Sequence, residues 1–129
     1  MHAMTRVLLA SILTASIAGC NTSPTSSRGG EQATFSKISG SISTSVAASL
    51  DRTFDAAKSA MGDMQYTTDR ATKDALKGII EAREADGRKV TTTVTRRADD
   101  ITDISISVGT MGDEAKARMI LDKILARVH

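Results

Sequence analysis

The sequence predicts an α+β fold in two layers: an antiparallel sheet with one face covered by two helices, in the order β-α-β-β-β-β-α. Three observations lead there. Several segments between residues 38 and 108 alternate apolar and polar residues, the period-two pattern of half-buried strands. Two segments, from residue 50 and from residue 113, carry apolar residues at helical spacing. Asp86-Gly87 and Asp99-Asp100 punctuate the strands with turn chemistry. A sheet with one apolar face and helices with one apolar stripe must cover each other, because neither buries its stripe alone.

Each element follows in order. Ile38, Gly40, Ile42, Thr44 and Val46 alternate with serines and predict the first strand. Ser49 is placed to cap a helix running through Met61, with Leu50, Phe54, Ala57 and Met61 on one face and Gly62 at its end. Met64 to Arg70 is a weak strand. Ala75 to Glu84 is a better one, with Leu76, Gly78, Ile80 and Ala82 toward the core. Lys89 to Arg97, rich in Val and Thr, is the clearest. Ile101 to Val108 places Ile104, Ile106 and Val108 on one side. Gly109 to Gly112 is a turn. A helix from Asp113 to Arg127 closes the fold, with Ala117, Ile120, Leu121, Ile124 and Val128 as its buried stripe.

Register follows from the pleat. A two-residue Asp86-Gly87 turn would set Ala82 against Thr91, apolar against polar. A three-residue Ala85-Asp86-Gly87 loop, with Gly87 left-handed, sets Ala82 against Val90, Ile80 against Thr92 and Gly78 against Val94. An Ala98-Asp99-Asp100 loop likewise pairs Val94 with Ile104 and Thr92 with Ile106. The opposite face carries Lys77, Glu81, Arg83, Thr91, Thr93, Thr95, Arg97, Asp103, Ser105 and Ser107. Arg83, Thr91, Thr93, Thr95 and Arg97 are the candidate interaction face.

The chain has 129 residues, 17 basic and 15 acidic, for a net charge of +2. Long like-charge runs are absent, which argues against nucleic acid as a partner. Phe35, Phe54 and Tyr66 are the only aromatics, so the core is aliphatic. One Cys excludes an internal disulfide and a multi-Cys metal site.

The N-terminus carries most of the functional information. Arg6 precedes an uncharged, mostly apolar run from Val7 to Ala18, whether translation starts at Met1 or Met4. That run is too short to span a bilayer, which takes about 20 residues, but suits the core of a secretory signal. Ile17-Ala18-Gly19-Cys20 follows. It resembles the bacterial lipoprotein box, in which the Cys thiol receives a diacylglycerol, the signal is cut just before the Cys, and the new amino group is acylated. The resemblance implies that 1–19 is a lipoprotein signal peptide and that Cys20 is the lipidated first residue of the mature chain. Asn21, rather than Asp, implies sorting to the outer membrane, facing the periplasm. Residues 20–37, rich in Ser and Thr and holding Pro24 and Gly29-Gly30, read as a flexible tether. The folded domain is expected over 38–129.

With that start, Leu76-Lys77-Gly78-Ile79-Ile80-Glu81-Ala82, Asp86-Gly87-Arg88-Lys89-Val90 and the run Ile104-Ser105-Ile106-Ser107-Val108-Gly109-Thr110-Met111-Gly112-Asp113 are similar to those of a family of small bacterial lipoproteins of unknown function. The resemblance spans almost the whole mature chain and implies localisation and fold, but no activity.

Catalytic chemistry finds little support. His129 lies at the C-terminus, where a base held by a third group is not expected. Asp99-Asp100-Ile101-Thr102-Asp103 would gather carboxylates around a metal on a helix, but here the run enters a strand and its side chains diverge. Glu81 and Glu84, three apart on a strand, point to opposite faces. Gly109 to Asp113 opens a helix but lacks the Lys-Ser/Thr of a phosphate loop, and Thr110 with Asp113 resembles a capping pair. No enzyme, metal or cofactor is expected. Arg83, Arg88, Lys89, Arg96 and Arg97 lie near the central hairpin in sequence and form a candidate basic cluster for anionic lipid or a partner. The expectation is a lipid-anchored envelope protein, held in the membrane by its N-terminal lipid, with a non-catalytic structural or protein-interaction role. The alternative is a carrier or sensor of a small apolar ligand, held where Gly78 and Ala82 leave room between sheet and helices.

Overall fold

The computed structural model describes residues 33–129. Eight elements follow one another: β1 (Thr34–Ser36), β2 (Ser41–Val46), α1 (Leu50–Asp63), β3 (Thr67–Lys73), β4 (Lys77–Arg83), β5 (Lys89–Ala98), β6 (Ile101–Val108) and α2 (Glu114–Val128). The strands form one sheet in the order β1-β2-β6-β5-β4-β3, antiparallel throughout. β3 to β6 are a meander, and β2 adds to its β6 side. The helix α1 makes the crossover from β2 to β3 and packs over β3, β4 and β5, while α2 packs over β6 and β2. Both lie on one face, the two-layer α+β arrangement that the patterning predicts.

The central register is the predicted one. Ala82 faces Val90, Ile80 faces Thr92 and Gly78 faces Val94. Gly87 has φ +86° and donates its N–H to Glu84, and Glu84 N–H bonds to Arg88 across the three-residue loop. Val94 faces Ile104 and Thr92 faces Ile106, also as expected. The route differs there. Ala98 pairs with Ile101, so the turn is only Asp99-Asp100, and an irregularity between Arg96 and Ala98 absorbs the extra residue.

The first strand is shorter than its alternation suggested. Residues 37–40 form a turn, Ile38 is fully exposed rather than inward, and Gly40 takes φ +60°. The polypeptide has already entered the sheet before this point. β1 lies within the stretch read as tether and pairs Phe35 with Ile42. Leu76 also departs from expectation. It is 66% exposed, in the turn between β3 and β4, where Asp74 Oδ1 accepts from Leu76 and Lys77 N–H. A side-chain turn overrides the pleat at that end.

Ser49 caps α1, its side chain accepting from Arg52 N–H. Gly62 does not end the helix. Met64 is the C-cap, Gln65 N–H bonds to Gly62 and Tyr66 N–H to Met61, which is a Schellman closure. Gln65, at φ +60°, takes the left-handed position usually given to Gly. Asp113 itself, not Thr110, caps α2 by accepting from Lys116 N–H.

The core is aliphatic. Ile42, Met61, Ile80, Ile104, Ile106, Ile120 and Ile124 are sealed between sheet and helices. Gly78 leaves no room for a ligand there. A Cβ built on it would lie 2.5 Å from Phe54 Cδ2 and 2.9 Å from Val94 Cγ2. The glycine exists to admit the Phe54 ring, and the space read as a ligand cavity is filled by the protein's own side chain. Thr102 Oγ1, also buried, donates to Ala48 O at 2.9 Å. Thr92 differs: its Oγ1 is buried among apolar neighbours without a hydrogen-bond partner. Thr92→Val keeps the shape and removes the orphan hydroxyl, so it is expected to raise stability by about 1–2 kcal/mol, read as a higher urea midpoint at unchanged slope.

Candidate functional site

The helices leave one face of the sheet uncovered, and strand register fixes what stands on it. One row across the strands reads Thr34, Ser43, Ser105, Thr93 and Ile79. The next reads Ser36, Ser41, Ser107, Thr91 and Glu81, and a third Ser45, Asp103, Thr95 and Lys77. On β1, β2, β6 and β5 these rows are hydroxyl side chains interrupted by a single carboxylate. Ser43 Oγ donates to Ser105 Oγ at 3.3 Å. Ser45 Oγ donates to Asp103 Oδ1 at 2.5 Å, and Arg97 Nε donates to Asp103 Oδ2 at 3.1 Å. A shallow open groove runs along Ser43, Ser45, Thr93, Thr95, Arg97 and Asp103. Half-buried hydroxyls give a surface with little net charge, able both to donate and to accept.

Of the predicted interaction residues, Thr91, Thr93 and Thr95 stand in line on β5, and Arg97 closes the groove on Asp103. Arg83 is apart from them, on β4 beside the edge strand, bonded to Asp69 at 3.0 Å. The basic residues that sequence spacing suggested as a cluster divide between the two ends of the sheet. Lys89 pairs with Arg83 in the ladder, whereas Arg96 pairs with Thr102 at the far end. Each meets an acid: Arg88 with Asp113, Lys89 with Glu81, Arg96 with Asp99, and Arg97 with Asp103. Asp99 and Asp103 are therefore occupied separately. Among the described residues, no group of three or more His, Cys, Asp or Glu is placed to hold a metal ion.

A second polar constellation escaped the sequence reading. Glu84, just past β4, points to the helix side, and its side chain is only 5% exposed. Lys116 Nζ, from the first turns of α2, donates to both of its carboxylate oxygens at 2.8 Å. Tyr66 Oη donates to Glu84 Oε1 at 2.9 Å. Arg88 Nε stands 3.8 Å from Oε2 and its other arm reaches Asp113 at 3.0 Å. This network ties α2, the β4–β5 loop and the entry to β3 together. Its signal was present in the pleat, since Glu84 shares the parity of core-facing Ala82.

Burial, then the hydrogen bond to Glu84, pushes the Tyr66 phenol up to about 12 from 10.0. The protonated phenol is the form favoured in the folded state, so its contribution is complete below pH 10. It is lost as pH rises from 10 toward about 12. Urea titrations across that window should show a fall in stability that is smaller in Tyr66→Phe. Equal falls in both chains would remove Tyr66 as the cause.

Cys20 and the preceding Ile17, Ala18 and Gly19 lie outside the described residues. No helix among the described residues is long and apolar enough to cross a membrane. No curated protein matches the chain. A family model does match residues 3–127, and on that span the chain belongs to the family described as "Protein of unknown function (DUF3568)".

Proposed function

We propose that this chain is a lipid-anchored protein of the bacterial cell envelope with a non-catalytic interaction role. Cys20 carries the lipid, and the open hydroxyl-rich sheet face meets a protein partner. The observation that carries the reading is the uncharged run ending in Ile17-Ala18-Gly19-Cys20 ahead of a Ser/Thr-rich stretch and a folded domain. Asn21 after the Cys directs the anchored chain to the outer membrane, facing the periplasm. The domain supports a binding role. Its ionisable groups are largely engaged in ion pairs, and Phe54 fills the space over Gly78. What it offers outward is a broad face of Ser and Thr with few charges, whose hydroxyls can both donate to and accept from a partner.

Photo-crosslinking in intact envelopes tests this. A crosslinker at Thr93, on the open face, is expected to capture the same partner reproducibly. One at Lys123, on the exposed side of α2, is expected to capture none. Absence of any reproducible adduct at Thr93 and at Ser43 would contradict the proposed face.

A further inference from the structure

The turn between β1 and β2 and the turn between β6 and α2 meet through glycine backbones. A Cβ on Gly40 would stand 3.0 Å from Gly112 Cα and 3.2 Å from the Met111 carbonyl oxygen. Both glycines have positive φ, +60° and +74°. The contact locks two turns side by side at one end of the sheet. Each turn presents a large aliphatic side chain to solvent, Ile38 at 102% exposure and Met111 at 91%. These are the two most exposed large hydrophobics of the described residues. Single exposed apolar residues are ordinary. Two of them on one clamped tip are a different feature; the open hollow beside Met111 is lined mostly by glycine and polar residues, among them Arg88, Thr110, Asp113 and Glu114.

The geometry points to a bilayer-contacting tip: Ile38 and Met111 enter the interfacial region of the membrane that anchors the chain. Three observations select a lipid surface over another occupant. The neighbouring charges do not oppose it, since Asp113 and Asp86 both face Arg88, at 3.0 and 3.8 Å. Lys37, beside Ile38, is exposed and has no acidic partner among the described residues, leaving a cation for anionic head groups. The chain preceding the fold also has the right length. Thirteen residue steps separate Cys20 from Ala33, just before β1 runs toward the tip, and a chain of that length can span at most about 45 Å. A head so tethered samples its own membrane at high local concentration, so two side chains suffice where a free protein would need more. Seated on this tip, the head stands with its open sheet face turned sideways, clear of the lipid.

The inference rests on the reading that Cys20 is the membrane attachment point, and the test separates the two. The chain contains no Trp, so a single introduced Trp reports its own surroundings. The chain from residue 20 onward, with Cys20 coupled chemically to a maleimide lipid in phosphatidylethanolamine/phosphatidylglycerol vesicles, takes Ile38→Trp, Met111→Trp or Leu76→Trp. Leu76 is the control, exposed at the opposite end of the sheet. The expected result is a blue-shifted emission quenched by brominated acyl chains for the first two variants, and unchanged emission for the third. No shift in the first two, an equal shift in all three, or a shift that grows with protein concentration without vesicles would overturn the tip. In the same lipid-coupled chain, Ile38→Ser added to Met111→Trp, and Met111→Ser added to Ile38→Trp, should each lower the ratio of lipid-seated to free tip by about tenfold, the weight of one buried aliphatic side chain, read as lost bromolipid quenching. Unchanged quenching would count equally against it. Because the attachment is made chemically, the result stands whatever the fate of Cys20 in cells.

Discussion

Gly112→Ala is expected to destabilise the domain by about 3 kcal/mol or more. Two penalties fall together. The position holds φ +74°, which strains any side chain, and the new Cβ would sit 2.5 Å from Gly40 O and 2.8 Å from Gly40 C. Those neighbours are backbone and cannot rotate away. Gly87→Ala is the natural control. It has φ +86° but nothing within 4 Å of a built Cβ, so it should lose only about 1 kcal/mol from conformation. Urea unfolding of the two variants isolates the clash as the difference between them. If Gly112→Ala lost no more than Gly87→Ala, the two turns would not be in contact, and the clamped tip would go with them.

Lys116→Met should lower stability by about 3 kcal/mol at neutral pH, because it leaves a carboxylate that is 5% exposed without its main counter-charge. Arg88, at 3.8 Å, and the Tyr66 hydroxyl, at 2.9 Å, hold the loss near the lower end of the range for a broken buried pair. The reverse change, Glu84→Gln, should cost less, because the Lys116 side chain is 37% exposed and water can solvate its ammonium. The asymmetry distinguishes a buried charge from simple loss of contacts. Equal losses in the two variants would mean that Glu84 is not buried as described.

The limits of what the sequence reveals are physical and local. Where one face of a strand is buried, a slip of one residue turns the whole set of side chains over. That constraint made the pairings of Ala82 with Val90 and Val94 with Ile104 readable in advance. The reading failed where side chains or backbones outside the pleat decide. Leu76 belongs to the alternation but is turned out by Asp74, and Ile38 by the turn that Gly40 makes against Gly112. Strand β1 was hidden because three residues of mixed polarity carry no period of their own; they are strand only because β2 offers an edge. Gly78 looked like vacant volume because a glycine reports small size, not what fills the gap from another element. On the open face, the Thr91, Thr93 and Thr95 run was legible, but its continuation through Ser105, Ser43 and Thr34 needed the strand order. The Glu84 network also joins three separate elements, and only the inward parity of Glu84 foreshadowed it.

Attachment through Cys20 is the central proposal, and the intact mass of the protein extracted from membranes tests it most directly. The account predicts a chain that begins at Cys20 and carries a diacylglycerol and an additional acyl group, with Cys20→Ser abolishing both the modification and the membrane association. A membrane-extracted or soluble chain of unmodified mass, with its first residue elsewhere, would contradict it.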